Sequence, residues 1–322
     1  MLGCEGRGSG PLGAFFREFV LDEWTTFAWQ GMLVEVPNEW TLGATQGDRK
    51  SGYLRLDDEE MVRLEVKWEE EKGPPDLKRV VTKYLDGISK AARKGGAEFW
   101  SKREMRVGKM EDREHEYFAW RAEMHGYGLV FRCAECKKVV FARVLGRRGE
   151  GVEQVARRVF SSLVDHQEGE DELWRFYGFE FRAPKDFKLE KSMLRAGLFQ
   201  MVFSRGKEEL EFLRQGLADF VMKEKKPLEW FLEFESKQLR GFDLGEEEEG
   251  PRVMGHETRK AVGKPRGTGR IASAFTKRQQ LRCVAWKCDK GDKVLGVRAV
   301  TRRDDEGLCE RSAESVVCHG EE

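Results

Sequence analysis

Val36-Pro37-Asn38-Glu39-Trp40-Thr41-Leu42 returns further along the chain as Ala183-Pro184-Lys185-Asp186-Phe187-Lys188-Leu189, with proline, acid, aromatic ring and leucine in the same register. Self-similarity over such a distance is the mark of an internal repeat. Outward from this motif the match continues in order. Gly52-Tyr53-Leu54-Arg55-Leu56 is answered by Gly197-Leu198-Phe199-Gln200-Met201, and Leu64-Glu65-Val66 by Leu210-Glu211-Phe212, all with the alternation of half-buried strands. A helix follows in each half. Pro74 and Pro75 punctuate, Asp76 can cap, and Val80, Tyr84, Leu85 and Ile88 recur at helical spacing; later Pro227 leads into Leu228, Phe231 and Leu232.

Strands are expected next, over Tyr117–Met124 and Leu129–Leu145 in the first half and Ile271–Phe275 and Leu281–Val300 in the second. Each half then closes with an apolar helical stripe. Val152, Val155, Val159 and Leu163 run to His166, while Leu308, Ser312 and Val316 run to His319. The polar, acidic joint Gln167–Asp171 divides the halves. The expected organisation is a Gly-rich leader over residues 1–25, a first repeat over 26–167 and a second over 168–322. The fold class is α/β of the α+β type: two tandem repeats, each a mainly antiparallel sheet flanked by helices.

A proline followed shortly by an aromatic residue and leading into an antiparallel sheet, with one helix midway and another at the end, resembles the PsbP-like α/β/α sandwich superfamily, once per half, over about residues 30–166 and 172–319. The resemblance implies an accessory or binding protein. That superfamily has no shared catalytic set, so no residue role transfers from it.

At 322 residues the chain exceeds the usual domain size of about 100 to 200. Its 58 basic side chains are balanced by 58 acidic ones and interleaved with them. Duplex recognition needs a concentrated basic face to displace counterions, so nucleic-acid binding is not expected. Abundant Lys, Arg and Glu is also a thermophile style of surface. No run of about 18 apolar residues offers a membrane span, and a cytoplasmic location is expected. Seven cysteines then read as thiols or metal ligands more readily than as a disulfide framework.

Four of the five histidines enter the repeat: His115-Glu116 against His256-Glu257, and His166 against His319. Cys136 precedes His166 by 30 residues and Cys288 precedes His319 by 31, which pairs the two cysteines. His256, Cys288, Cys318 and His319 are residue types that bind zinc tetrahedrally. The first-half candidates are His115, Cys136 and His166, with Asp165 in the place of Cys318 and Cys133 of Cys133-Ala134-Glu135-Cys136 as an alternative sulfur. Against a metal, adjacent Cys318 and His319 are expected to diverge. The competing readings are a Cys288–Cys318 disulfide, or buried cysteines and histidines that merely pack.

Gly263-Lys264-Pro265-Arg266-Gly267-Thr268-Gly269-Arg270 is a basic, Gly-rich insert in which Lys264, Arg266 and Arg270 could hold an anion, although the P-loop spacing is absent. Neither Gly-x-Ser-x-Gly nor His-Glu-x-x-His occurs. The leading expectation is a non-enzymatic binding or adaptor protein with a protein or small-molecule partner and zinc in a structural role. A metal-dependent hydrolase using Glu116 or Glu257 as base, and a disulfide-tied interaction module, are the alternatives.

Overall fold

The computed structural model describes residues 23–105, 110, 113–266, 279–302, 305 and 307–320. Strands β1 (Trp24–Trp29) and β2 (Met32–Pro37) form a hairpin. Trp24 and Thr25, counted with the leader in the sequence-based division, pair with Pro37 and Val36 in β1. Strands β3 (Thr41–Gly47), β4 (Ser51–Asp57) and β5 (Val62–Glu70) make a meander. Helix α1 (Leu77–Lys94) intervenes, and β6 (Trp100–Arg103), β7 (Glu114–Arg121), β8 (Met124–Arg132) and β9 (Lys138–Arg147) complete a seven-stranded antiparallel sheet ordered β3-β4-β5-β9-β8-β7-β6. Helix α2 (Glu153–Ser162) follows.

The second half begins with the hairpin β10 (Asp171–Phe176) and β11 (Phe179–Pro184), then the meander β12 (Lys188–Arg195), β13 (Leu198–Arg205) and β14 (Glu208–Gly216). Helices α3 (Ala218–Met222) and α4 (Pro227–Phe234) stand where α1 stood. Strands β15 (Phe242–Leu244), β16 (Glu248–Glu249), β17 (Arg259–Pro265), β18 (Gln279–Cys288) and β19 (Lys293–Arg302) complete an eight-stranded sheet, in which β12-β13-β14-β19-β18-β17-β15 are ordered and β16 also pairs with β17. Helix α5 (Leu308–Glu314) comes last among the described elements. The architecture is mainly antiparallel sheet with a few helices. Ile271–Phe275 lies outside the described residues.

The repeated proline, acid and aromatic motif is a turn in both places. The Trp40 amide donates to the Pro37 carbonyl, and the Phe187 amide to that of Pro184, each at 3.0 Å. Proline supplies the fixed φ and ends the strand. Trp40 and Phe187 are both buried beneath their turns.

A third sheet joins the halves. Its order is β11-β10-β1-β2, with Ala28 opposite Arg175 where the two hairpins meet. Trp29 and Trp174 meet edge to face at 5.1 Å across this seam, and one continuous apolar core runs through both halves. Outside it, α1 lays Leu77, Val81 and Leu85 on Phe118, Trp120 and Val130, while α4 lays Leu228 and Phe231 on the second sheet. Asp76 caps α1 by accepting from the Arg79 amide.

Beyond each closing helix the chain turns extended and borrows a hairpin edge. Leu33 and Val164 exchange backbone hydrogen bonds at 3.0 and 2.8 Å, and the Val317 amide donates to the Glu180 carbonyl at 2.9 Å. The residues that follow, Asp165-His166 and Cys318-His319, are thereby fixed in place.

Both large sheets also carry a cross-strand ion pair in the same register, Glu65 opposite Arg143, which is half-buried, and Glu211 opposite Arg298, which is buried. In the second, the Arg298 Nε lies 3.0 Å from both Glu211 and Glu235, and Gln200 donates to Glu211 at 2.6 Å. Burial and the Glu211 charge push Glu235 up to about 8 against the pull of Arg298. A native pKa above the ordinary 4.5 means a stabilising contribution that is complete below that value and lost as pH rises through about 8. Glu235→Gln should therefore flatten the decline in urea-unfolding free energy between about pH 5 and 9; a parent protein with no such decline contradicts the assignment.

Candidate metal centres

Cys288 ends β18 and faces Lys293 across the hairpin, so its sulfur is fixed by sheet register and fully buried. Cys318 and His319 lie just after the Glu180–Val317 bridge. His256 comes from the tight turn Val253–His256, whose ends exchange backbone hydrogen bonds at 3.2 and 2.9 Å; Met254 and Gly255 both have positive φ there. These four side chains converge, each offering a donor atom within 4.8 Å of the others. A bend at His319 brings its ring to the same side as the Cys318 sulfur, correcting the expectation that neighbouring residues would diverge.

Three contacts focus on one atom. His319 Nδ1 lies 3.4 Å from His256 Nε2, 3.4 Å from Cys288 Sγ and 3.2 Å from Cys318 Sγ. A neutral imidazole nitrogen accepts one hydrogen bond or donates one, so it cannot satisfy three neighbours. Zinc distances of about 2.0 to 2.1 Å to nitrogen and 2.3 Å to sulfur give tetrahedral edges of about 3.3 to 3.8 Å. The two 3.4 Å contacts fall within that range and the 3.2 Å contact just below it.

The surroundings have a consistent polarity. Burial and then the Cys288 charge push the Cys318 thiol up to about 12, while Trp286 opposes them. The Trp286 indole N–H is buried and has no hydrogen-bond partner of its own. Burial, followed by the charge of His319, lowers His256. Lys293 Nζ donates to the Cys318 carbonyl at 2.8 Å, holding the tail against the hairpin. All six described cysteines are free, Cys288 and Cys318 among them.

The first half holds a second group, Cys133, Cys136, Asp165 and His166, also within 4.8 Å. Two sequence assignments change. The residue in the position of Cys288 is Cys133, not Cys136: the Cys133 amide bonds the Lys138 carbonyl as Cys288 pairs with Lys293, and Lys138 Nζ donates to the Asp165 carbonyl at 3.1 Å as Lys293 does to that of Cys318. Counting back from histidine had hidden this, whereas the shared Cys-x4-Lys spacing reveals it.

The second change concerns His115, which is not in the group. It sits on β7 opposite Phe131, and its Nδ1 donates to the Arg113 carbonyl at 2.7 Å. His256 escapes that constraint because it lies in a turn ahead of β17. Cys136, in the hairpin loop, takes the fourth place instead.

The chemistry of this group is that of hydrogen bonding around a carboxylate. Cys136 Sγ donates to Asp165 Oδ2 at 2.9 Å, His166 Nδ1 donates to the same oxygen at 3.0 Å, and Cys133 Sγ lies 3.7 Å from His166 Nδ1. The Arg113 guanidinium binds the other oxygen, Oδ1. Burial would raise Asp165, yet hydrogen bonds from Cys136, His166 and Cys133 and the charge of Arg113 lower it to about 2. Burial and Asp165 push Cys136 up to about 12. His166 is raised, Asp165 and Glu135 outweighing its burial.

The basic insert is divided. Lys264 lies on β17 opposite Asp243, and Arg266 Nε is 2.7 Å from Asp243 Oδ1, so that carboxylate already engages the guanidinium. Arg270 lies outside the described residues. Glu116 follows His115 on β7 and Glu257 is exposed beside His256.

The sequence matches no protein-family model, and comparison with curated proteins gives no match. Among solved structures the chain is similar to the cyanobacterial PsbP (CyanoP) of Synechocystis, at 15% identity and a TM-score of 0.31, over 48% of this chain and 99% of that one. It is also similar to MucB, seen in complex with MucA, at 10% identity and a TM-score of 0.21, over 89% and 81% respectively. These are weak likenesses of fold. No helix among the described residues is long and apolar enough to cross a membrane.

Removing the Lys293 ammonium leaves the Cys318 carbonyl without that donor. Lys293→Met is expected to cost about 1 to 3 kcal/mol in chemical denaturation and to speed hydrogen exchange at Val317; an unchanged midpoint contradicts this role.

Proposed function

We propose that the chain is a tandem duplication serving as a non-enzymatic binding or adaptor protein, in which zinc at His256, Cys288, Cys318 and His319 pins the closing segment to the second sheet. The observation that carries the reading is the approach of three donor groups to His319 Nδ1 at 3.2 to 3.4 Å. The matching strand orders, turns and Glu–Arg pairs support duplication, with repeats near 26–167 and 168–322.

Four protein donors complete a tetrahedral shell, whereas catalytic zinc keeps a position for water. That count favours a structural ion over a hydrolytic one. A groove of about 630 Å³ beside α1, lined by Lys67, Lys83, Tyr84, Ile88, Phe141 and Arg143, offers a partly apolar surface for a small-molecule or protein partner.

Elemental analysis of the purified full chain should find zinc. Chelation should lower Tm by roughly 5 to 10 °C, because binding energy at such a site is folding energy. Cys288→Ser should reproduce the loss of metal. Zinc-free protein whose Tm is indifferent to both chelator and added zinc would overturn the reading.

A further inference from the structure

The two donor groups occupy matching places but are not chemical copies. Around a dication, two thiolates and two imidazoles make a neutral shell. In the first half the place of Cys318 is taken by Asp165 and the fourth donor is Cys136 rather than a histidine. Two thiolates, a carboxylate and an imidazole around the same dication carry one excess negative charge. A compensating charge is present: Arg113 holds Asp165 Oδ1, while Oδ2 faces Cys136 and His166. Among the described hydrogen bonds and ion pairs, no guanidinium contacts the donors of the second group.

We infer that Cys133, Cys136, Asp165 and His166 form a second zinc site of a different class, charge-compensated by Arg113 and at least about tenfold weaker than the Cys/His site, so that the two fill in order. The inference rests on reading the second-half group as a zinc site.

Three features set the order. Carboxylate oxygen is a harder donor than imidazole nitrogen or thiolate sulfur and is less suited to zinc. Asp165 Oδ2 already accepts from Cys136 at 2.9 Å and from His166 at 3.0 Å, and an entering ion must displace both hydrogen bonds. The crowded nitrogen of His319 has less to lose. Finally, Trp286 lies two residues before Cys288 on the same face of β18, and its buried indole N–H, without a hydrogen-bond partner, is available to a metal-bound thiolate, while its register counterpart, Phe131 opposite Val140, has no N–H to offer.

Arg113 is a positioning residue in this scheme. It touches the ligand carboxylate rather than the ion, and His115 steadies it by donating to its carbonyl at 2.7 Å. The histidine thus serves the first site at one remove.

The test is titration of the metal-stripped full chain with zinc against a chromophoric chelator, with cobalt(II) as a parallel spectroscopic probe of thiolate ligation. Two equivalents are expected, the second at least about tenfold weaker. Cys133→Ser should abolish only the weak class and Cys288→Ser only the tight one. Asp165→Cys should tighten the weak class about tenfold or more and intensify its thiolate-to-cobalt charge-transfer band. Because the parent titration and the two serine variants decide the question alone, failure of Asp165→Cys to fold would not shield the inference. A single equivalent lost in Cys288→Ser, or two equivalents of equal affinity, overturns it while leaving the Cys/His site standing. No uptake at either group overturns both.

Discussion

After each closing helix, a few extended residues must be held on two sides at once. On one side they add to the free edge of a hairpin, through Leu33–Val164 in the first half and Glu180–Val317 in the second. On the other they meet a cysteine at the end of a sheet strand and a lysine opposite it. Leu163, Val316 and Cys318 enter the apolar core, but the polar residues beside them, Asp165, His166 and His319, must also be ordered, at about 1 to 2 kcal/mol per residue. Backbone pairing, the lysine-to-carbonyl hydrogen bond and the converging donor groups are what offset that cost.

The same segments tie the large sheets to the shared four-stranded sheet. Because β1 and β10 belong to different halves yet pair with each other, loosening either closing segment exposes an edge of the sheet on which both halves rest. The aromatic core around Trp29, Trp174, Phe176 and Phe181 lies beneath that sheet. Local order at the donor groups is in this way coupled to the packing of the whole chain, and an ion there would act as a staple.

Much of this was legible in the sequence because strand and turn chemistry is local. Pro37 and Pro184 set identical turns, Trp40 and Phe187 fill them, and Asp76 caps the helix it precedes. His256, Cys288, Cys318 and His319 were picked out by aligning the halves and by residue type, and their side chains converge. Long-range pairing left no such trace, since no residue near Ala28 announces Arg175 as its partner.

The misassigned first-half residues have equally specific causes. Strand β7 holds His115 in a ladder, while the corresponding stretch before β17 is a turn free to aim His256 inward. Cys133 was ranked below Cys136 because distance along the chain was taken to measure distance in the hairpin. The lysine opposite each buried cysteine is the better guide, and a bend lets two adjacent side chains share a target. X-ray absorption at the zinc edge of the purified full chain tests the central claim most directly. The account predicts a four-coordinate shell with sulfur at about 2.3 Å and nitrogen near 2.0 Å; a shell of oxygen and nitrogen without sulfur would contradict it.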